Sequence, residues 1–134
     1  MPRYMLDTDV SSYLIRGDHP EVLEQLRKHL DEVCISCITE AELQYGAMKR
    51  NSRRLSQKVN LFCDLIPCID WTQSTAKVYA GLRTELEAQG TPIGSMDMMI
   101  AASALAEDVT LVTNNMTHFS KIRGLKLENW VSNA

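Results

Sequence analysis

The sequence predicts an α/β fold, a sandwich in which a central, mostly parallel sheet is flanked by helices. Three observations lead there. Short apolar runs alternate with longer stretches of helical period along the chain. The turn-forming clusters Gly17-Asp18-His19-Pro20, Ile66-Pro67 and Gly90-Thr91-Pro92-Ile93-Gly94 punctuate the pattern without any long linker. The stretch Met98–Ala106 is apolar on nearly every side, as a helix buried all round must be.

Taken in order, the first strand is Arg3–Leu6, an apolar run ended by Asp7. Helices Val10–Arg16 and Pro20–Leu30 follow, divided by the Gly17–Pro20 cluster. Glu32–Ser36 is the second strand and Glu40–Lys49 the helix after it. In that helix Ile38, Ala41, Tyr45 and Met48 form a stripe at helical spacing, the expected inward face, with Glu42 at its edge. Helix Arg53–Leu65 precedes strand Ile66–Ile69, and helix Gln73–Gln89 ends at the next turn cluster. Helix Met96–Ala106, strand Thr110–Thr113 and strand Leu125–Leu127 complete the series.

At 134 residues, 45% hydrophobic and 23% charged, the composition fits one water-soluble domain spanning 1–134, neither disordered nor membrane-embedded. Asp7 interrupts the first apolar run before a signal-peptide core forms, and no run is long enough to span a bilayer, so the cytoplasm is the expected compartment. Cys34, Cys37, Cys63 and Cys68 loosely mimic zinc-ligand spacing. Val33–Cys37 reads as a strand, however, where residues three apart face opposite ways, so buried free thiols are the better expectation.

The net charge of −3 by itself disfavours a nucleic-acid partner, but its distribution is uneven. No acid occurs from Leu43 to Cys63, whereas Lys49, Arg50, Arg53, Arg54 and Lys58 all do. Either these form a solvated helix face or they track a phosphate backbone.

The informative acids share one address. Asp7 ends the first strand, Glu42 lies early in the helix after the second, Asp97 opens the buried helix, and Asn114 and Asn115 follow the fourth strand. In a parallel α/β sheet these positions converge at the carboxyl edge, where ligands bind. Each has a local alternative: Glu42 in a capping box with Thr39, Asp97 at a helix dipole, Asp7 as a turn former. Three carboxylates at one edge repel one another unless protons or a cation neutralise them. An all-oxygen site favours Mg²⁺ or Mn²⁺, which is nuclease or phosphatase chemistry. His19, His29 and His118 read as surface histidines.

Five segments then match a known family in order: Met5-Leu6-Asp7-Thr8-Asp9, Thr39-x-x-Glu42-Leu43-x-Tyr45-Gly46-Ala47, Gly94-x-x-Asp97-x-x-Ile100-Ala101-Ala102, Val112-Thr113-Asn114-Asn115-x-x-x-Phe119, and Leu125-x-x-Glu128-Asn129-Trp130. The chain resembles the PIN-domain toxins of the VapC type. The resemblance implies a Mg²⁺-dependent (or Mn²⁺-dependent) endoribonuclease of a bacterial toxin–antitoxin pair, cutting structured RNA such as transfer RNA. It further implies a VapB-like antitoxin as partner, a homodimer, and a larger toxin–antitoxin complex. The family's catalytic and metal-binding acids carry over onto Asp7, Glu42 and Asp97, with Asp9 and Asn115 as further candidates for the metal and Thr8 and Thr113 as hydroxyl donors behind the ligands. Two positions depart from the pattern: the family usually has Asn at Asp9, and many members have an acid at Asn115. Two rival readings are a haloacid-dehalogenase-like phosphatase using Asp7 and Asp9, and a non-catalytic interaction domain whose acids are only helix caps.

Overall fold

The computed structural model describes residues 1–132. Its strands are β1 (Tyr4–Leu6), β2 (Val33–Ser36), β3 (Cys68–Ile69), β4 (Thr110–Val112) and β5 (Leu127–Glu128). The helices are α1 (Thr8–Arg16), α2 (Pro20–Lys28), α3 (Cys37–Arg50), α4 (Arg53–Leu65), α5 (Gln73–Ala88), α6 (Ser95–Glu107) and the one-turn α7 (Met116–Phe119), with a 3₁₀ turn at Leu30–Glu32. All pairings in the sheet are parallel and its order is β3-β2-β1-β4-β5.

Side chains alternate across the sheet and so feed two cores. Tyr4, Leu6, Val33, Ile35 and Val112 pack with Val10, Val22, Leu26, Leu43, Ala47, Val59 and Phe62 from α1 to α4. Met5, Cys34 and Leu111 pack on the other face with Leu82 and Leu86 of α5, Met98, Ile100 and Ala104 of α6, and Phe119 of α7. Burial on both faces explains why the strands read as unbroken apolar runs.

The inward face of α3 differs from the expected stripe. Thr39, Leu43 and Ala47 are buried, while Tyr45 and Met48 are 64% and 72% exposed. Apolar residues occur all round this helix, so its period cannot choose a face; contact with both α1 and α4 does. The helix also begins earlier than expected, because Ser36 caps it by accepting from the Thr39 amide at 3.1 Å. Cys37 is therefore helical rather than part of a strand, and Cys34 sits on the opposite side of the sheet from Cys63 and Cys68. Among the described residues all four thiols are free. No helix among them is long and apolar enough to cross a membrane.

The sheet order sets up the site. From β1 the chain builds outward through β2 and β3 on one side, then returns through β4 and β5 on the other. The connections thus diverge between β1 and β4, and that is where an open parallel sheet leaves a crevice at its carboxyl edge.

Candidate active site

Asp7 stands at this divergence. Its amide donates to the Val112 carbonyl at 3.0 Å, which pins the end of β1 to β4. Its carboxylate caps α1 by accepting from the Val10 amide at 2.8 Å and also accepts from the Thr113 hydroxyl. Thr113 is held in turn by its own amide on the Glu128 carbonyl and by the Asn115 amide, which donates to its hydroxyl at 2.9 Å. The carboxyl of Asp7 is only 4% exposed. Burial pushes its pKa up from 3.8 to about 6 against these two hydrogen bonds, and the charges of Asp9 and Asp97 add to the rise. Desolvation therefore wins: Asp7 is a carboxylate that the fold holds where ionisation is costly.

Asp97 is in the first turn of α6, behind Gly94, which supplies no side-chain cap. Its side chain is 40% exposed and its Oδ2 lies 3.1 Å from Nε2 of His118 on α7. Burial again raises its pKa, His118 opposes that, and Asp9 adds to it. Asp9, exposed in the first turn of α1, is a charge felt by both Asp7 and Asp97.

Glu42 occupies the second turn of α3 rather than a capping box, since Ser36 and Thr39 already close that helix start. Thr8 donates to Glu42 Oε1 at 2.6 Å and stands 3.2 Å from the Thr39 hydroxyl. Glu42 is thus tied to the start of α1 through Thr8, while the charges of Asp9 and Asp97 both act on Asp7. Among the described residues no three His, Cys, Asp or Glu side chains form a ready-made metal cage. Asn115 is exposed at the α7 N-cap and makes no side-chain cap. His118, expected from the sequence to be a surface histidine, is instead only partly exposed and lies against Asp97, because the single turn of α7 carries it there.

A cleft of about 180 Å³ opens beside Glu42 and Thr8, lined along α1, α3 and α4 by Ile15, Leu43, Ala47 and Val59 and flanked by Arg16 and Arg50. A shallower recess around Ser52 continues from it through Arg50 and Leu55 to Arg54 and Lys58. Lys49 and Arg53 line neither. None of the five segment cations is ion-paired among the described residues.

Gly46 lies in the floor of the cleft, and a Cβ there meets nothing within 4 Å. Gly46→Ala should accordingly stabilise the protein by about 0.4–1 kcal/mol through the unfolded chain and helix propensity. A higher urea midpoint with an unchanged slope is the expected reading; a lower midpoint means that the helix moves where open space now lies.

A family model for the PIN domain matches residues 4–125. The chain belongs to the PIN-domain family. It is 43% identical over 132 residues to Ribonuclease VapC2 of Rickettsia felis, covering 95% of this chain and 97% of the relative. It is 34% identical over 131 residues to the tRNA(fMet)-specific endonuclease VapC of Shigella flexneri, covering 97% and 99%. Among solved structures, VapBC2 from Rickettsia felis bound to a promoter DNA fragment superposes with a TM-score of 0.89 at 38% identity, covering 95% of this chain and 98% of that one. With the PIN family established over this span, the haloacid-dehalogenase alternative loses its support. Asp7, Asp9, Thr113 and Asp97 of the PIN domain all fall within the matched residues.

Proposed function

We propose that this PIN domain is the toxin of a toxin–antitoxin pair and hydrolyses phosphodiester bonds of structured RNA, transfer RNA foremost, with Mg²⁺ or Mn²⁺ at the Asp7, Asp97 and Glu42 carboxylates. The observation that carries the reading is the costly carboxylate of Asp7, buried beside two further acids at the sheet's divergence point. A hard divalent ion suits that donor chemistry, since Mg²⁺ keeps several waters and needs only one or two carboxylates, not a closed cage. Bound there, such an ion supplies a Lewis acid for phosphate oxygens and lowers the pKa of water.

The chain's own residues do the rest. Thr113 and the Val10 amide fix the Asp7 carboxylate, and Thr8 fixes that of Glu42 at the mouth of the cleft. Asp9 adds negative charge at the entrance and is a further candidate ligand, as is the amide oxygen of Asn115. Arg50, Arg54 and Lys58 bind the RNA backbone away from the scissile group; Lys49 and Arg53 extend that surface. Transfer RNA is favoured because the Shigella flexneri relative is named for it. A VapB-like antitoxin and a larger complex are favoured because the matching structures include DNA-bound VapBC complexes, and a toxin homodimer belongs to the same reading. Leu61 and Leu65, exposed on α4, and Tyr45 and Met48 on α3 offer apolar surface for such assembly.

The test is cleavage of a folded transfer RNA with and without metal. EDTA should abolish it, Mg²⁺ or Mn²⁺ should restore it, and the products should carry 5′-phosphate and 3′-hydroxyl ends, because water and not the ribose 2′-hydroxyl attacks. Cyclic 2′,3′-phosphate ends would sink this mechanism. The non-catalytic alternative is met by thermal melting with Mn²⁺: saturation at 100 times Kd stabilises a real site by about 2.7 kcal/mol, whereas helix caps do not respond.

A further inference from the structure

We propose that His118 is a positioning residue for Asp97: its ring N–H holds one carboxylate oxygen so that the other faces the divalent ion. The inference rests on the metal reading above and adds a residue to it. His118 Nε2 lies 3.1 Å from Asp97 Oδ2, and no other hydrogen bond engages the Asp97 carboxylate among the described residues. Nothing else on α6 restrains that side chain, because Asp97 is in the first turn behind Gly94 and makes no cap. A half-exposed aspartate of this kind rotates freely and gives up that freedom on binding an ion.

His118 is well placed to remove the cost beforehand. It sits on α7, whose neighbouring Phe119 is buried in the core below, with the two rings edge to face at 5.6 Å. The start of the same segment is tied to the Asp7 side of the site by Thr113, which accepts from the Asn115 amide and donates to Asp7. The contact does not require a charged ring, since a neutral imidazole with its proton on Nε2 donates equally well. Carboxylates that ligate metals are ordinarily held by such a second hydrogen bond, and loss of the partner typically costs about 10–100-fold in metal affinity or activity.

The experiment is Mn²⁺ calorimetry on the full chain, compared for the parent, Asp97→Asn, His118→Ala and His118→Gln. His118→Ala should weaken Mn²⁺ binding about 10-fold or more while the metal-free fold is kept, and His118→Gln, which restores an N–H donor, should recover most of the loss. In RNA cleavage the alanine variant should regain activity as Mn²⁺ is raised, which loss of a group acting on the substrate would not allow. Should His118→Ala fail to fold, His118→Phe keeps a ring against Phe119 without the N–H and must show the same weakening. Parent-like Mn²⁺ affinity in these variants, alongside lost affinity in Asp97→Asn, overturns the positioning role and leaves the metal site standing. Tighter binding identifies His118 as a competing cation and also overturns it. If Asp97→Asn binds Mn²⁺ as the parent does, the metal reading at Asp97 fails and this inference with it.

Discussion

Asp7→Asn is expected to abolish RNA cleavage and yet raise the stability of the metal-free protein near neutral pH. The first half follows from the proposed role of Asp7 as a metal ligand, for which a loss of about 10²–10³-fold or more is the usual scale for one charge-stabilising group. The second half follows from linkage. The folded pKa of Asp7 lies at about 6, above the 3.8 of an unperturbed carboxyl, so the native state holds this proton more tightly than the unfolded chain does. The stability from this group is fully present below about pH 4 and is lost as pH rises through about 6. Two pKa units amount to about 3 kcal/mol, an upper figure because asparagine also forgoes a charge-assisted hydrogen bond with Thr113. Asparagine caps helices as well as aspartate does, so α1 should keep its start.

Without metal at pH 7 the melting temperature of Asp7→Asn should therefore exceed that of the parent by several degrees, at about 4 °C per kcal/mol for a chain of this size. The gap should close near pH 4, and saturating Mn²⁺ should reverse the order by stabilising only the parent. A variant less stable than the parent at pH 7 in EDTA would reassign Asp7 to a purely structural cap.

The second large effect concerns the cations around the recess beyond the cleft. Reversing Arg50, Arg54 and Lys58 together to Glu should raise KM for RNA strongly and leave most of kcat if, as proposed, these side chains bind the backbone away from the scissile bond. Each lost phosphate contact should flatten the dependence of log affinity on log salt by about 0.7 for single-stranded RNA. Three contacts make the parent roughly twenty-fold more sensitive than the variant between 50 and 200 mM salt. Reversing Lys49 and Arg53, which line neither the cleft nor the recess, is the matched control and should do much less. Unchanged RNA affinity with lost antitoxin binding would assign the recess to the protein partner instead.

What could be read from the sequence was what periodicity and strand ends encode. Runs such as Tyr4–Leu6 and Leu111–Val112 are apolar because both faces are covered, and Asp7 at the end of the first and Asn114 and Asn115 after the second mark the carboxyl edge. Facing was not legible in α3, where Leu43 and Ala47 compete with Tyr45 and Met48 and only the packing of neighbouring helices decides. Its start was misplaced because Cys37-Ile38-Thr39 suits a strand as well as a helix, and the Ser36 cap had to be seen to settle it. Glu42 was found by its motif, but its hydrogen bond from Thr8, 34 residues away in the chain, is a matter of three-dimensional packing. His118 was read as a surface histidine for a different reason: its place in the site comes wholly from Asp97, which is far off in the chain and close only through α6 and α7.

The order of strands in the sheet also bears on biosynthesis. The central strand β1 is synthesised well before its neighbour β4, with six helices and two strands between them. Until then the Asp7 amide has no Val112 carbonyl and its carboxylate no Thr113 hydroxyl. Parallel pairing over such a separation closes only after a long loop has been ordered, so it comes late in folding as well as in synthesis. A nascent or truncated chain ending before Asp108 consequently lacks the backbone and hydroxyl partners that hold Asp7 at the end of β1, and the carboxyl edge of the sheet is completed only as its last pairing closes.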